Sequence, residues 1–394
     1  MNALRLCLAS FLAAISLQAP AAPKPMLIAY YLATPAPERY VAPEKLPAAQ
    51  LTHLNYAFAN IEHGEIVVGT PAVDTEGHDN FAQLRALKKR APHLKTLISV
   101  GGWEWSGQFS DVALTPESRA RFAQSGVAFI RRHGFDGVDI DWEFPVAGGL
   151  ESNVRRPDDK ANYTLLLRAL RDALDDAGKA DRRHYLLTAA VGNNDSFLAN
   201  TEVAAVGRTL DWMNIMAYDL NGPWSLLSGH VAPLFNDPAM TQPGTNPKNN
   251  IASIVDAYMA AGVPAEKIVL GVPFYGYSWK GCPAANNGQY QTCAGKGRGT
   301  WEDGALDYAD LAARLIDRDG FKRYWNDAAK VPYLFNATTS EFVTYDDERS
   351  LREKARFIKA RRLAGAMFWQ ITGDDKKHAL LGTLARDLLR ARSH

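Results

Sequence analysis

The stretch GFDGVDIDWEFP, residues 134–145, places four acids, Asp136, Asp139, Asp141 and Glu143, within eight positions. The last three alternate with Val138, Ile140 and Trp142. Alternation with period two marks a β-strand, so Asp139, Asp141 and Glu143 share one face. Neighbouring carboxylates then stand roughly 6–7 Å apart along the strand. Crowded, partly desolvated acids push each other's pKa values apart. One is thereby kept neutral near neutral pH and can serve as a general acid. Glu143, at the strand's C-terminal end, is the candidate. A solvated edge strand would not set Val138, Ile140 and Trp142 against a second apolar layer. A hard-cation site draws its ligands from loops with turn residues and carbonyl oxygens. This is a strand, so neither a metal nor a cofactor is expected.

Such a strand needs a scaffold. Apolar runs that read as buried strands occur at MLIAYYLA (26–33), LTHLNYAFANI (51–61), LKTLISVGGW (94–103) and GFDGVDIDWEF (134–144). Others follow at HYLLTAAVG (184–192), LDWMNIMAYD (210–219), IVLGVPFYGYSW (268–279) and GAMFWQITGD (365–374). Amphipathic helical segments such as NFAQLRALKKRA and ANYTLLLRALRDALDDAG separate most of them. The pattern predicts the α/β class and a (β/α)8 TIM barrel, with a doubly wound open sheet as the alternative. Two features favour the barrel: the count of eight, and polar residues gathered at strand C-terminal ends, where barrel active sites lie. Almost ninety residues separate strands 7 and 8. That exceeds a simple loop and predicts a small α+β insertion subdomain over 280–345, within a catalytic barrel spanning 22–394.

The 394 residues carry 44 basic and 43 acidic side chains, a formal charge of +1. That balance offers no electrostatic footprint for nucleic acid or for an anionic membrane surface. With 47% hydrophobic residues the chain can bury a sizeable core. Residues 1–21 have the three parts of a secretory signal peptide: MNALR, the apolar run LCLASFLAAISL, and small residues ending at Ala21. The run is too short to span a bilayer. The expectation is a protein secreted to the medium or the periplasm, with no membrane association after cleavage. Export leaves Cys282 and Cys293 in an oxidising place, where they form either one disulfide, the favoured pairing, or two free thiols. Neither an accessory binding domain nor an internal repeat is expected, and the expected state is a monomer.

The run from Asp136 to Glu143 resembles the DGxDxDxE signature of glycoside hydrolase family 18, the chitinases. SVGG at Ser99–Gly102 is similar to the family's SxGG motif, and MNIMAYDLNGPW at Met213–Trp224 to its MxYD segment. SGHVAPL, PFYGYSW and GAMFWQITGD fall where similar segments fall, and RPDDKANYTLLLRALRDAL resembles the bacterial subfamily that carries an α+β insertion. The resemblance implies a TIM barrel that hydrolyses chitin and chito-oligosaccharides without a cofactor. Glu143 would protonate the glycosidic oxygen and later activate water. The substrate's own acetamido oxygen would attack the anomeric carbon, so no second carboxylate is needed as nucleophile.

By the same resemblance Asp141 would hold the acetamido N–H, with Asp139 beneath it sharing a proton. Tyr218 would donate to the acetyl oxygen, with Met216 and Asp219 lining the same subsite. Trp369 would floor the cleavage point. Tyr30, Phe58, Gly102, Trp103, Trp224 and Tyr275 join the expected substrate contacts. Trp105 and Trp279 are equally compatible with sugar stacking and with core packing, whereas parity turns Trp142 towards the helices. Ser99 and Gly101–Gly102 are expected to serve close packing, and His230 a structural hydrogen bond. The chain departs from the family's YGR with Tyr275-Gly276-Tyr277, which removes a basic contact to sugar hydroxyls. An endo-β-N-acetylglucosaminidase and a non-catalytic chitin-binding lectin are the alternatives.

Overall fold

The computed structural model describes residues 24–390 apart from Gly244; the leader expected at 1–21 lies outside the described residues. Eight parallel strands close into a barrel. They are β1 (Met26–Leu32), β2 (His53–Glu62), β3 (Lys95–Gly101), β4 (Gly137–Asp141), β5 (Leu186–Val191), β6 (Trp212–Ile215), β7 (Ile268–Pro273) and, last in the chain, β14 (Gly365–Trp369). Each pairs with its sequence neighbour, β14 pairs with both β7 and β1, and the β1–β2 pairing completes the circle. Closure leaves no edge for a solvated strand. It also aligns Ser99 of β3, Asp139 of β4 and Thr188 of β5 across the ladder.

Helices seal the outer layer. The long helix before β4, α2 (Pro116–His133), starts at Thr115, whose hydroxyl accepts from the Ser118 N–H, with Pro116 in its first turn. It ends at Gly134, whose φ of 82° reverses the chain. Its inner face buries Phe122, Phe129 and Ile130, each contributing roughly 1.5–3 kcal/mol. Trp142 packs outward against Phe109 and Tyr163, with ring centroids 5.4 and 5.5 Å away. The first acid of the cluster is structural. Asp136 accepts the Thr96 N–H at 2.8 Å, pairs with Lys88 at 2.6 Å and also meets Arg183. Burial opposes its charge, but these partners outweigh it and hold the carboxyl below the usual range.

One strand boundary differs from expectation. PFYGYSW reads as a single run to Trp279, yet the chain leaves the barrel at Phe274. The Phe274 N–H donates to the Trp369 carbonyl at 2.7 Å, while its own carbonyl accepts from the Tyr308 N–H at 3.1 Å. Tyr275–Lys280 is a separate strand, β8, in a second, antiparallel sheet. That sheet adds β9 (Gly295–Lys296), β10 (Ala305–Asp307), β11 (Lys322–Asn326), β12 (Val331–Asn336) and β13 (Glu341–Thr344). It therefore begins at Tyr275 rather than at 280. A bend between two apolar strands leaves the period-two pattern intact, so sequence alone cannot place it. The sheet has its own small core of Trp279, Cys282, Cys293, Tyr333, Phe335 and Phe342. Cys282 and Cys293 are disulfide-bonded, with Cα atoms 4.2 Å apart. Among the described residues no helix is long and apolar enough to cross a membrane.

Candidate active site

The acids of β4 point into the barrel and upward. Asp139 is fully buried, and four donors from four other strands converge on it. The Tyr30 hydroxyl donates at 2.7 Å, Ser99 at 2.8 Å, Thr188 at 2.5 Å and the Asn214 amide at 3.2 Å. Ser99, expected only to allow close packing, is thus a hydrogen-bond donor to the cluster. Thr188 and Asn214 escaped the sequence analysis, although strand parity in LLTAAV and WMNI already turns them inward. With its oxygens occupied by these donors, Asp139 makes no hydrogen bond to Asp141 among the described residues. The charge of Asp139 is one of the causes that raise Asp141.

Asp141 lies one step outward, and its buried Oδ1 has no hydrogen-bond partner among the described residues. Burial first, then the charges of Glu143 and Asp139, raise its carboxyl well above the usual range. Glu143 follows the strand end with its backbone anchored on both sides. Its N–H meets the Ser106 hydroxyl at 2.8 Å, and its carbonyl accepts from the Asn153 amide at 3.0 Å. Desolvation, and after it the charge of Asp219, pushes Glu143 up to about 8. A carboxyl that keeps its proton at neutral pH while lining a cleft can protonate a leaving oxygen.

The cleft above these acids has a volume of about 820 Å³ and is lined by Tyr30, Phe58, Trp103, Asp141, Glu143, Met216, Tyr218, Asp219, Tyr275 and Trp369 among others. Among the described residues the Tyr218 hydroxyl has one hydrogen-bond partner, the Met367 sulfur at 4.0 Å. It is therefore free to donate into the cleft. Trp369 stacks on Phe58 at 5.7 Å and tilts against Tyr30 at 5.8 Å, forming an aromatic floor. Gly102 underpins that floor. It has φ +74°, and a Cβ there would stand 2.5 Å from the Phe58 ring. Non-proline cis peptide bonds occur at Ala57–Phe58, Glu143–Phe144 and Trp369–Gln370, all beside the cleft.

Some expected contacts are placed elsewhere. Gly102 supports Phe58 and does not itself line the cleft. Trp224, 63% exposed, stands outside the lining with its ring edge-on to Tyr277 at 5.3 Å. Trp279 is fully buried in the core of the antiparallel sheet, with its Nε1–H donating to the Ser225 carbonyl at 2.8 Å. Trp105 does line the cleft. His230 is buried between the sheets, within 3.1 Å of the Gln289 side chain. Arg39, Trp301, Glu302 and Asp307, which no motif in the sequence marks, also line the cleft. The signal for Trp301 was faint: an aromatic inside the turn-rich GTWEDG of a segment with no obvious strand partner.

Comparison with known proteins adds the ancestry. The family Glycosyl hydrolases family 18 matches residues 27–374, which takes in the barrel, the antiparallel sheet and every residue of the acid cluster. The chain belongs to this family. Chitinase A1 of Niallia circulans is 45% identical over 92% of this chain, which spans 58% of that longer protein. Chitinase ChiA74 from Bacillus thuringiensis superposes with a TM-score of 0.88 at 40% identity, covering 93% of this chain and 70% of the other. A glycoside hydrolase family 18 N-acetylglucosaminidase from Paenibacillus barengoltzii gives 0.80 at 39% identity, covering 92% of this chain and all of the other.

Proposed function

We propose that this family 18 chain is a chitinase that hydrolyses β-1,4 linkages between N-acetylglucosamine units, with retention at the anomeric carbon. The observation that carries this is Glu143, a carboxyl pushed up to about 8 beside an open cleft that Asp141, Tyr218 and Trp369 also line. Glu143 delivers its proton to the glycosidic oxygen as the bond to the anomeric carbon breaks. The acetamido oxygen of the same sugar closes on that carbon from the opposite face, forming an oxazolinium ion. Asp141 accepts the acetamido N–H and offsets the positive charge, while the Tyr218 hydroxyl steadies the acetyl oxygen. Trp369 provides the apolar floor beneath the sugar. Glu143, now a carboxylate, takes a proton from water, which attacks the anomeric carbon and restores its configuration. Asp139, in its cage of four donors, supplies the fixed charge beneath Asp141.

The substrates are chitin and chito-oligosaccharides, the leader pattern at 1–21 supports export, and the proposed state is a monomer. The likeness to a family 18 N-acetylglucosaminidase favours one second reading, action on other N-acetylglucosamine-containing glycans. A lectin without activity has no need of a proton-bearing Glu143. Sugar release from colloidal chitin, chito-oligomers and a glycoprotein separates the three. Proton NMR of the fresh product should give the β-anomer. The new reducing end cut from partly deacetylated chitosan should be N-acetylated, because a free amine offers no acetyl oxygen. An inverted anomer, or free glucosamine at that end, would refute the mechanism.

A further inference from the structure

Asp219 sits in the left-handed region, φ 57°, at the turn after β6. Two tyrosines meet on a single oxygen of its carboxylate. Tyr275 donates to Oδ1 at 2.5 Å and Tyr277 at 2.9 Å. Tyr277 cannot easily swing away. Its backbone pairs on one side with Ala305 and on the other with Thr344, and its ring is edge-on to Tyr275 at 5.5 Å and to Trp224 at 5.3 Å. Both donors are neutral. Among the described residues no lysine or arginine pairs with Asp219, and Arg39 is the one lysine or arginine lining the cleft. Arg39 is engaged elsewhere, its guanidinium 5.0 Å from the Trp301 ring.

We propose that Tyr277 is a positioning residue that holds Asp219 as an uncompensated anion facing Glu143, and so keeps the proton on Glu143 into mildly alkaline solution. The two hydroxyls fix the carboxylate and favour its ionised form without cancelling its charge. Desolvation on the protein side works the other way and on balance raises Asp219, the two hydroxyls offsetting part of it. Asp219 is open to the cleft, so water screens its field on Glu143 in the free enzyme. A bound sugar displaces that water and strengthens the interaction. The other groups around Glu143 act alongside. Asp141 stands beside it at the end of β4 with its own carboxyl raised in part by Glu143, the acids Glu104, Glu302 and Asp307 line the outer cleft, and the Tyr218 hydroxyl is neutral. A cation at position 277 would change the sign of the local field. In this chain a tyrosine stands there.

The proposal rests on Glu143 being the proton donor of the reaction above, so its test has one readout that needs no turnover. Carbon-13 NMR of side-chain-labelled glutamates, with Glu143 assigned through Glu143→Gln, follows its titration directly. The alkaline limb of kcat/KM and of kcat on an unactivated N-acetylglucosamine tetramer follows the same proton in action. Tyr277→Arg should lower both the titration and the limb by about 0.5–1 pH unit, with the larger shift in kcat, while Tyr277→Phe, which takes one of two donors from Asp219, lowers them by a smaller amount, about 0.2–0.4 unit; no change with phenylalanine would leave Tyr277 without its positioning role. Asp219→Asn should lower them as the arginine does. If Tyr277→Arg does not fold, Tyr277→Lys and Asp219→Asn carry the test. A Glu143 titration unmoved by the cation, or lowered equally by phenylalanine, overturns the proposal. A titration that moves as expected in an enzyme that cleaves no N-acetylglucosamine linkage keeps the electrostatics and removes the proposed function.

Discussion

Glu143 and Asp136 are seven positions apart in the same run of acids, and their surroundings send them in opposite directions. Asp136 has Lys88, Arg183 and the Thr96 N–H, and holds its charge. Glu143 has desolvation and the charge of Asp219, and keeps its proton. A carboxyl raised in the native state binds a proton that the unfolded chain has already released. Stability from this group is therefore fully present below the unfolded pKa near 4.3, and is lost as pH rises towards about 8. Glu143→Gln removes that dependence. Urea unfolding should find the variant equal to the parent at pH 4 and more stable at pH 8, on the order of 1–2 kcal/mol. Its turnover of chito-oligomers should fall ~100- to 10,000-fold while oligomer binding persists. A parent-like pH dependence of stability would show that Glu143 is not the group holding the proton. At this scale the sequence was informative. Parity placed the three carboxylates on one face, but the four donors around Asp139 come from strands up to 184 residues apart in the chain, as Tyr30 and Asn214 are.

The element that returns the chain from the antiparallel sheet to β14 is α6 (Glu348–Ala360), and it is tied down by an ion pair with no solvent exposure. Lys354 on the helix pairs with Asp346, which also accepts from the Ser350 hydroxyl at 2.6 Å. Asp347 caps the helix by accepting the N–H groups of Arg349 and Ser350. Burial pushes Asp346 up and Lys354 down, so each partner is costly to keep charged alone. Lys354→Met should destabilise by about 3–5 kcal/mol because it strands Asp346, and adding Asp346→Leu should recover most of that loss. Chemical denaturation of the single and double variants decides it: a double variant as unstable as the single would locate the loss in packing instead. The spacing of Leu351, Ala355 and Ile358 along one helix face is a local pattern of the sequence. The pairing is not, because a lysine on a helix normally faces water.

Across the whole molecule, the antiparallel sheet acts as a wall of the cleft. Tyr275, Tyr277, Trp301, Glu302 and Asp307 all belong to it or to its loops, and Trp103 and Trp105 face the same cavity from the end of β3. Trp301 is held upright: its Nε1–H donates to Asp307 at 2.6 Å, and Arg39 from the loop after β1 lies over its face. Trp301→Ala should therefore raise KM for hexamers by ~3- to 10-fold while leaving dimeric and trimeric substrates nearly unchanged, the size expected from losing one aromatic contact. Initial rates against oligomer length test this. An equal loss at every length would make Trp301 a packing residue of the sheet.

The order of strands and helices, the carboxylates on one face of β4 and the presence of a long excursion before the last strand were determined by local pattern. Each depends on residues a few positions apart, where alternation and amphipathic spacing act directly. The cage around Asp139, the field of Asp219 on Glu143, the burial of Trp279 and the Trp301 wall of the cleft were decided by the tertiary structure. Barrel closure brings together side chains from β1, β3, β5 and β6 that no local period relates. Burial and charge at the resulting cleft then set which acid carries the proton.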